Sequence, residues 1–135
     1  GGTNCRAHWT LVVNQESKLE YYFKCVQYDA NTVANWLFGM YIFASSSAGA
    51  HYGNSYLIAI EDDGASGVQI NIYESAANVL TSRATQGITF VQGTTYEFKI
   101  EYDPDTGKIE VYQDGTSKVS WTDSSALSSG SYVAL

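Results

Sequence analysis

The sequence has few basic residues. Seven lysines and arginines stand against fourteen aspartates and glutamates, which gives a formal net charge of −7. No basic stripe is available to neutralise phosphates, so nucleic acid is not an expected partner. No run of eighteen apolar residues is present either, and no membrane span is predicted. The first residues, GGTNC, lack the charged and apolar regions of a signal peptide, and we expect a processed product or an excised module.

Proline, histidine and cysteine are also scarce. The single proline fits a chain rich in strands, because proline cannot donate to a β-ladder. His8 and His51 have no nucleophile motif near them, so nucleophilic catalysis is not expected. Cys5 and Cys25 form no CxxC and show no zinc spacing. They either close one disulfide in an oxidising compartment or remain two buried thiols.

What the sequence does have is alternation of apolar and polar residues, and no segment shows a helical stripe. With 135 residues, the chain can bury one core. We therefore predict an all-β fold, an antiparallel two-sheet β-sandwich or jelly roll, as a single domain over residues 1–135. The predicted strands are AHWTLVV, KLEYYFKCVQY, WLFGMYIFA, SYLIAIE, GVQINIYE, NVLTS, TYEFKIEY, KIEVYQ, SKVSW and SYVAL.

The segment YEFKIEYDPDTGKIEVYQDG, residues 96–115, predicts a hairpin with a defined register. Pro104 sets φ at the first turn position, and Gly107 readily adopts the left-handed conformation at the last. The register then separates an apolar face from a polar face. On the polar face it places Lys99 opposite Tyr112.

The same register places Glu101 opposite Glu110. Directly opposed residues have Cβ atoms about 5 Å apart, and a retaining glycosidase needs carboxyl groups about 5 to 5.5 Å apart. Three interpretations stay open: a solvated face whose like charges are offset by Lys99 and Lys108, a bound cation, or a catalytic pair. The flanking lysines favour the solvated face.

A second acidic cluster is Glu61-Asp62-Asp63-Gly64. Closely spaced carboxylates and carbonyls at a turn suit calcium, so a structural calcium is one expectation. The spacing is not that of an EF-hand, and an Asp-Asp-Gly run after a strand is also ordinary turn chemistry. Both interpretations stay open, and no other cofactor is expected.

Aromatic residues are abundant, with eleven Tyr, five Phe and three Trp. Several fall on the outward phase of their strands, where burial does not explain them. A flat ring flanked by amides and an ammonium group suits a neutral sugar, whose CH groups stack on the ring while its hydroxyls bind the polar groups. The alternative is that cross-strand tyrosines only stabilise the sheet. The candidate carbohydrate contacts are Tyr22, Tyr28, Gln69, Asn71, Tyr73, Lys99 and Tyr112.

Two further aromatic residues are harder to assign. Trp36 lies in the continuous apolar run WLFGMYIF and is either a core residue or a platform at the edge of a cleft. Tyr52 lies beside His51 and Asn54 in a Ser/Gly-rich segment, residues 44–55, which is predicted to be an exposed loop. Loops of this kind carry recognition on rigid sandwiches. Trp36 and Tyr52 are therefore added to the carbohydrate-binding candidates.

The succession LEYYFKCVQYD, YLIAIEDDGASGVQINIYE, TTYEFKIEYDPDTGKIEVYQDG and SKVSWTDSSALSSGSYVAL resembles concanavalin A-like (laminin G-like) β-sandwich domains. The likeness is strongest to sugar-binding modules appended to secreted polysaccharide-degrading enzymes. It implies a jelly roll that binds carbohydrate on a concave face or a loop edge, often with a structural calcium. Enzymes of this type carry a Glu-x-Asp-x-(x)-Glu strand motif. The nearest candidate here, residues 97–101, has Lys99 where an acid should be, which counts against a glucanase.

The sequence thus predicts a noncatalytic carbohydrate-binding module for a plant-type polysaccharide, with xylan or another β-linked glycan as the first candidate. We expect it to act outside the cell and to target an attached glycoside hydrolase to the glycan. Two alternatives stay open. One is a small glycoside hydrolase using Glu101 and Glu110, and the other is an adhesion or structural module that binds protein.

Overall fold

The computed structural model describes residues 10–26, 35–64 and 67–135. Within these ranges every regular element is a β-strand, and no helix is long and apolar enough to cross a membrane. Each of the ten predicted runs overlaps one observed strand, so the all-β prediction is confirmed. The strands are β1 (Thr10–Gln15), β2 (Leu19–Val26), β3 (Asn35–Ala44), β4 (Ser55–Asp62), β5 (Val68–Ala76), β6 (Val79–Gly87), β7 (Thr95–Asp103), β8 (Lys108–Gln113), β9 (Thr116–Thr122) and β10 (Gly130–Ala134).

The strands form two antiparallel sheets. One has six strands in the order β1-β10-β3-β4-β5-β6, and the other has four in the order β2-β7-β8-β9. The chain therefore crosses from one sheet to the other after β1, β2, β6 and β9. This arrangement confirms the predicted antiparallel two-sheet β-sandwich.

The core lies between the facing surfaces of the two sheets. Phe23 of β2 stacks on Phe38 of β3 with ring centroids 3.9 Å apart, so aromatic packing joins the sheets. Because successive strand residues point to opposite faces, the residues that alternate with the core residues lie on the outer faces. The fully buried core residues of β4, β5, β7 and β8 are Tyr56, Ile58, Ile60, Ile70, Ile72, Phe98, Ile100, Tyr102, Ile109 and Val111.

The hairpin of β7 and β8 has the predicted register. Glu101 lies opposite Glu110, and Lys99 lies opposite Tyr112. The apolar partners on the same two strands are buried in the core. Turn chemistry and the apolar pattern therefore specify the same pairing.

The turn of this hairpin also anchors a distant segment. Gly107 has a φ of +72°, the left-handed conformation that the sequence predicts for it. Its N–H donates to the carbonyl of Asp103 at 2.8 Å, and its own carbonyl accepts the N–H of Asp123 at 3.0 Å. The turn is thereby fixed to the chain that follows β9.

A buried polar residue that the pattern does not predict holds the end of β1. The side chain of Gln15 is fully buried. Its Nε2 donates to the carbonyl of Tyr132 at 2.8 Å, and its Oε1 accepts the N–H of Phe43 at 2.9 Å and the hydroxyl of Tyr21 at 2.5 Å. Because its amide has these partners, its burial carries no unsatisfied group. Gln15 links β1, β10, β3 and β2.

Cys25 lies half-buried on β2 and carries a free thiol. Burial raises the pKa of this thiol to about 11, so it stays protonated at neutral pH. It packs against the core as a small apolar side chain. At Cys25 the structure has a free thiol rather than a disulfide. Cys5 lies outside the described residues.

Candidate functional site

Six of the predicted contact residues lie on two opposite outer faces of the sandwich. One group belongs to the six-stranded sheet and the other to the four-stranded sheet, and the core separates them, so they cannot all contact one ligand. Gln69, Asn71 and Tyr73 lie on the outer face of the six-stranded sheet, and Tyr22, Lys99 and Tyr112 lie on the outer face of the four-stranded sheet.

Three parallel rows of residues cross the outer face of the six-stranded sheet from β3 to β6. The middle row has mostly short side chains, and the rows beside it contain larger ones, among them Tyr41, Tyr73 and Glu61. We call this feature the groove and the middle row its floor. The floor consists of Gly39, Ala59, Asn71 and Thr85. The row on one side consists of Tyr41, Leu57, Tyr73 and Ser82, and the row on the other side consists of Trp36, Glu61, Gln69 and Gly87.

Tyr73 and Glu61 extend toward each other along the groove. Tyr73 pairs with Leu57, four residues before Glu61 on β4, which is a separation of about 13 Å along the strand. Even so, the Tyr73 hydroxyl lies 3.0 and 3.2 Å from the two Glu61 carboxylate oxygens. Both side chains must therefore lie along the sheet rather than stand up from it. The half-buried Tyr73 side chain therefore extends across the middle row toward Glu61.

Asn71 fixes the carboxylate from below. Its side chain is only 6% exposed. Its Nδ2 donates to Glu61 at 2.5 Å, and its Oδ1 accepts the hydroxyl of Thr85 at 2.5 Å. A buried amide bonded at both ends has one orientation. The structure thus places Asn71 on the outer face, as predicted, but beneath the surface, where it positions Glu61.

Burial controls the protonation of both groups at the centre of the groove. It raises the pKa of Glu61, an effect that the hydrogen bonds from Tyr73 and Asn71 oppose. Burial and the nearby Glu61 carboxylate raise the pKa of Tyr73 to about 12. At neutral pH the phenol is therefore the uncharged donor, and the carboxyl oxygens of Glu61 accept its hydrogen bond.

The acidic run Glu61-Asp62-Asp63, at the end of β4, has three carboxylates with different protein partners. Glu61 binds within the groove, Asp62 accepts the N–H of Gly64 at 2.9 Å, and Asp63 accepts the Gln69 amide at 2.5 Å. Across the described ranges, no three His, Cys, Asp or Glu side chains are grouped to hold a metal ion. A calcium ion at Glu61, Asp62 and Asp63 stays a prediction.

Tyr52 is not displayed at the surface as the loop prediction implies. It is 8% exposed, packs with Ala44 and Ala134, and meets the Tyr41 ring edge-on at 4.9 Å. The Tyr41 hydroxyl in turn hydrogen-bonds to Nδ1 of His51 at 2.9 Å. The Tyr52 ring is thus buried by residues distant in the sequence, such as Ala134. Through its contact with Tyr41, it supports one end of the groove.

The remaining two aromatic candidates are located only in part. The backbone of Trp36 pairs with Glu61, which places this residue in the same row as Glu61. Tyr28 lies outside the described residues.

The opposed pair on the other sheet is held fully ionised. Hydrogen bonds from Lys99 and from Tyr112 lower the pKa of Glu101. Hydrogen bonds from Lys108 and Ser117, both at 2.6 Å, lower the pKa of Glu110 to about 2. A retaining glycosidase needs one carboxyl group that stays protonated near its working pH. Neither of these two carboxyl groups does.

Thr85 and Tyr41 are groove residues that sequence reasoning missed. The predicted run NVLTS ended at residue 82, whereas β6 continues to Gly87. Ala84 is the only apolar side chain among residues 83–87, so this part of β6, the edge strand of its sheet, shows little alternation. The β-branched Thr81 and Thr85 were the available signal for a longer strand.

The solved structures that are similar to this chain include a carbohydrate binding module, a galectin and a pentraxin. The carbohydrate binding module CBM66 from Bacillus subtilis matches with a TM-score of 0.68 and 14% identity, over 98% of this chain and 76% of that chain. The toad ovary galectin, in complex with thio-digalactose, matches with a TM-score of 0.61 and 17% identity, over 96% of this chain and 91% of that chain. The native heptameric SAP-like pentraxin from Limulus polyphemus matches with a TM-score of 0.57 and 14% identity, over 100% of this chain and 60% of that chain.

No family model matches the sequence, and no curated protein matches it. At the identities given above, the structural likeness shows the fold. It confirms the concanavalin A-like β-sandwich that the resemblance implied.

Proposed function

We propose that this protein is a noncatalytic carbohydrate-binding domain and that the groove is its binding site. The observation that carries the proposal is the half-buried Tyr73 side chain, which extends across the groove and is anchored at its hydroxyl by Glu61. CH groups of a sugar stack on such a ring, while neighbouring polar groups bind its hydroxyls. Gln69, in the row of Glu61, supplies an amide beside the ring. Two of the similar structures, a carbohydrate binding module and a galectin bound to thio-digalactose, support this class of ligand.

The ligand we propose is a neutral polysaccharide. The net charge of −7 disfavours polyanions. The groove crosses four strands, a length of about 14 Å at ordinary strand spacing, which accommodates more than one sugar ring. A plant-type polysaccharide, with xylan or another β-linked glycan first, is the class to test. In this proposal the single domain acts outside the cell and targets an attached glycoside hydrolase to the glycan.

The proposed role is binding without catalysis. Glu101 and Glu110 have the spacing of a glycosidase pair, but their lysine partners hold both carboxyl groups ionised. Such a pair has no general acid to protonate the leaving oxygen.

Affinity electrophoresis tests the proposed function. The wild-type protein is run in gels that contain soluble xylan, β-glucan, mannan or levan, beside a gel without glycan. Val91→Ala, which trims an exposed apolar side chain in the loop between β6 and β7, is the matched control. We expect at least one glycan to retard both proteins. If none of the four retards the wild type, the proposed function is wrong.

Glu61 gives groove binding a pH dependence. The ionised carboxylate anchors Tyr73 and Asn71, and protonation removes part of its capacity to accept hydrogen bonds. Because burial raises the pKa of Glu61 above the ordinary value of 4.5, affinity should fall on acidification at a higher pH than an ordinary glutamate would produce. Glu61→Gln cannot titrate, so its affinity should be lower at neutral pH and flat through this transition.

The measurement is affinity electrophoresis of both proteins in the retarding glycan, from neutral pH down to about pH 4. Asp62 and Asp63, the acids next to Glu61, are present in both proteins, so the difference between the two profiles isolates Glu61. Identical pH profiles would contradict the role assigned to this carboxylate.

A further inference from the structure

The outer face of the four-stranded sheet has an aromatic row that the core does not require. Tyr22, Lys99 and Tyr112 are paired in turn across β2, β7 and β8. Tyr22 is 60% exposed. Two strand spacings, about 9.6 Å, separate the two tyrosines, so one extended ligand can contact both rings.

The side chains of this row are held in place by the glutamates of the next row. The Tyr22 hydroxyl donates to Glu20 at 2.8 Å, the Tyr112 hydroxyl donates to Glu101 at 3.1 Å, and the Lys99 ammonium donates to Glu101. Since Glu20 and Glu101 are themselves paired, all three side chains lean in the same direction. The Lys99 ammonium also lies 4.0 Å from the centroid of the Tyr112 ring, a cation–π contact. The row is therefore ordered before any ligand arrives.

Three lysines on this face form ion pairs with glutamates, and Glu20 accepts the Tyr22 hydroxyl. The face therefore has no excess of positive charge to attract polyanions. Protein interfaces are depleted of lysine and glutamate, and this face is rich in both. One exposed phenol ring, Tyr22, and one half-buried ring, Tyr112, among polar groups that already have partners match a neutral, hydroxyl-rich ligand. The ion pairs are Lys24–Glu97 at 3.4 Å, Lys99–Glu101, and Lys108–Glu110 at 2.6 Å.

We infer that this face is a second glycan-binding surface, on which Tyr22 and Tyr112 stack against the sugar rings of a neutral polysaccharide. Together with the groove on the opposite sheet, it would let one domain bind two glycan chains at once and cross-link them. This inference takes its class of ligand from the proposed function. The location of the second surface is argued independently of it.

Four proteins are compared by affinity electrophoresis in soluble xylan, β-glucan, mannan and levan: the wild type, Tyr73→Ala, Tyr22→Ala/Tyr112→Ala, and the triple variant. Val91→Ala is again the control, and thermal melting checks that each variant is folded. We expect Tyr73→Ala and the double variant each to keep weakened retardation, and the triple variant to show none. Loss of either surface should lower the apparent affinity for the polymer by about tenfold or more, because two linked contacts give avidity.

Three outcomes would overturn the inference. If Tyr73→Ala abolishes retardation while the double variant behaves as the wild type, the second surface is wrong and the groove proposal stands. If no glycan retards the wild type, both proposals are wrong. If the double variant converts a dimer to a monomer in sedimentation, this face joins copies of the chain instead of binding glycan.

Discussion

Replacing Gly107 with alanine should lower the free energy of unfolding by about 3 kcal/mol or more and the melting temperature by about 10 °C or more. Two effects combine at this position. The φ of +72° is strained for a residue with a Cβ, and the added Cβ would lie 2.1 Å from the carbonyl oxygen of Asp123. That oxygen belongs to backbone fixed by the bond from Asp123 N–H to the Gly107 carbonyl, so it cannot move away cheaply.

Gly115→Ala is the matched control for this prediction. Gly115 has a similar φ of +77°, but a Cβ there would meet nothing within 4 Å. Only the cost of the left-handed conformation applies, about 1 to 2 kcal/mol. Thermal and urea unfolding of the two variants measure the difference. Equal losses of stability would contradict the close packing of the β7–β8 turn on the segment that follows β9.

Replacing Tyr73 with alanine should remove most of the affinity of the groove for glycan. Loss of one stacking ring costs about 1 to 3 kcal/mol, by analogy with base stacking on aromatic side chains, which corresponds to a roughly 5- to 150-fold weaker affinity. The comparison is made in the Tyr22→Ala/Tyr112→Ala background, so that the groove alone is measured. Isothermal titration with oligosaccharides of the retarding glycan gives the affinity.

Tyr73→Phe separates stacking from anchoring. It keeps the ring and loses only the hydrogen bonds to Glu61, so we expect a smaller loss, about 1 kcal/mol. Tyr73 lies on the outer face of its sheet, so neither variant should unfold the domain. If Tyr73→Ala binds with the same affinity as the Tyr22→Ala/Tyr112→Ala protein in which it is made, the Tyr73 ring is not the stacking platform.

The strands and the hairpin register could be predicted because their signals are local. Alternation decides which residues of a strand face inward. Pro104 and Gly107 set the turn that places Glu101 opposite Glu110. These signals lie within a few residues of the structure they specify, and the register they imply is the observed one.

The grouping of the candidate site could not be predicted, because it depends on which sheet each strand joins. Alternation identifies Tyr73 and Tyr112 as outward residues but does not show that they face away from each other on opposite sheets. The same limit applies to Tyr52, whose loop composition indicates exposure but whose ring is buried against Ala134, far away in the sequence. Gln15 likewise finds its partners on strands distant in the chain.

The proposal that the groove binds glycan is tested most directly by nuclear magnetic resonance. Isotopically labelled protein is titrated with oligosaccharides of the retarding glycan, and the shifted amide signals are mapped on the fold. If the groove binds glycan, we expect the shifted amide signals to form a contiguous set on it, in Gly39, Ala59, Glu61, Gln69, Asn71, Tyr73 and Thr85. These shifts should be lost in Tyr73→Ala. Shifts confined to the loops, or to the outer face of the four-stranded sheet alone, would contradict the proposal.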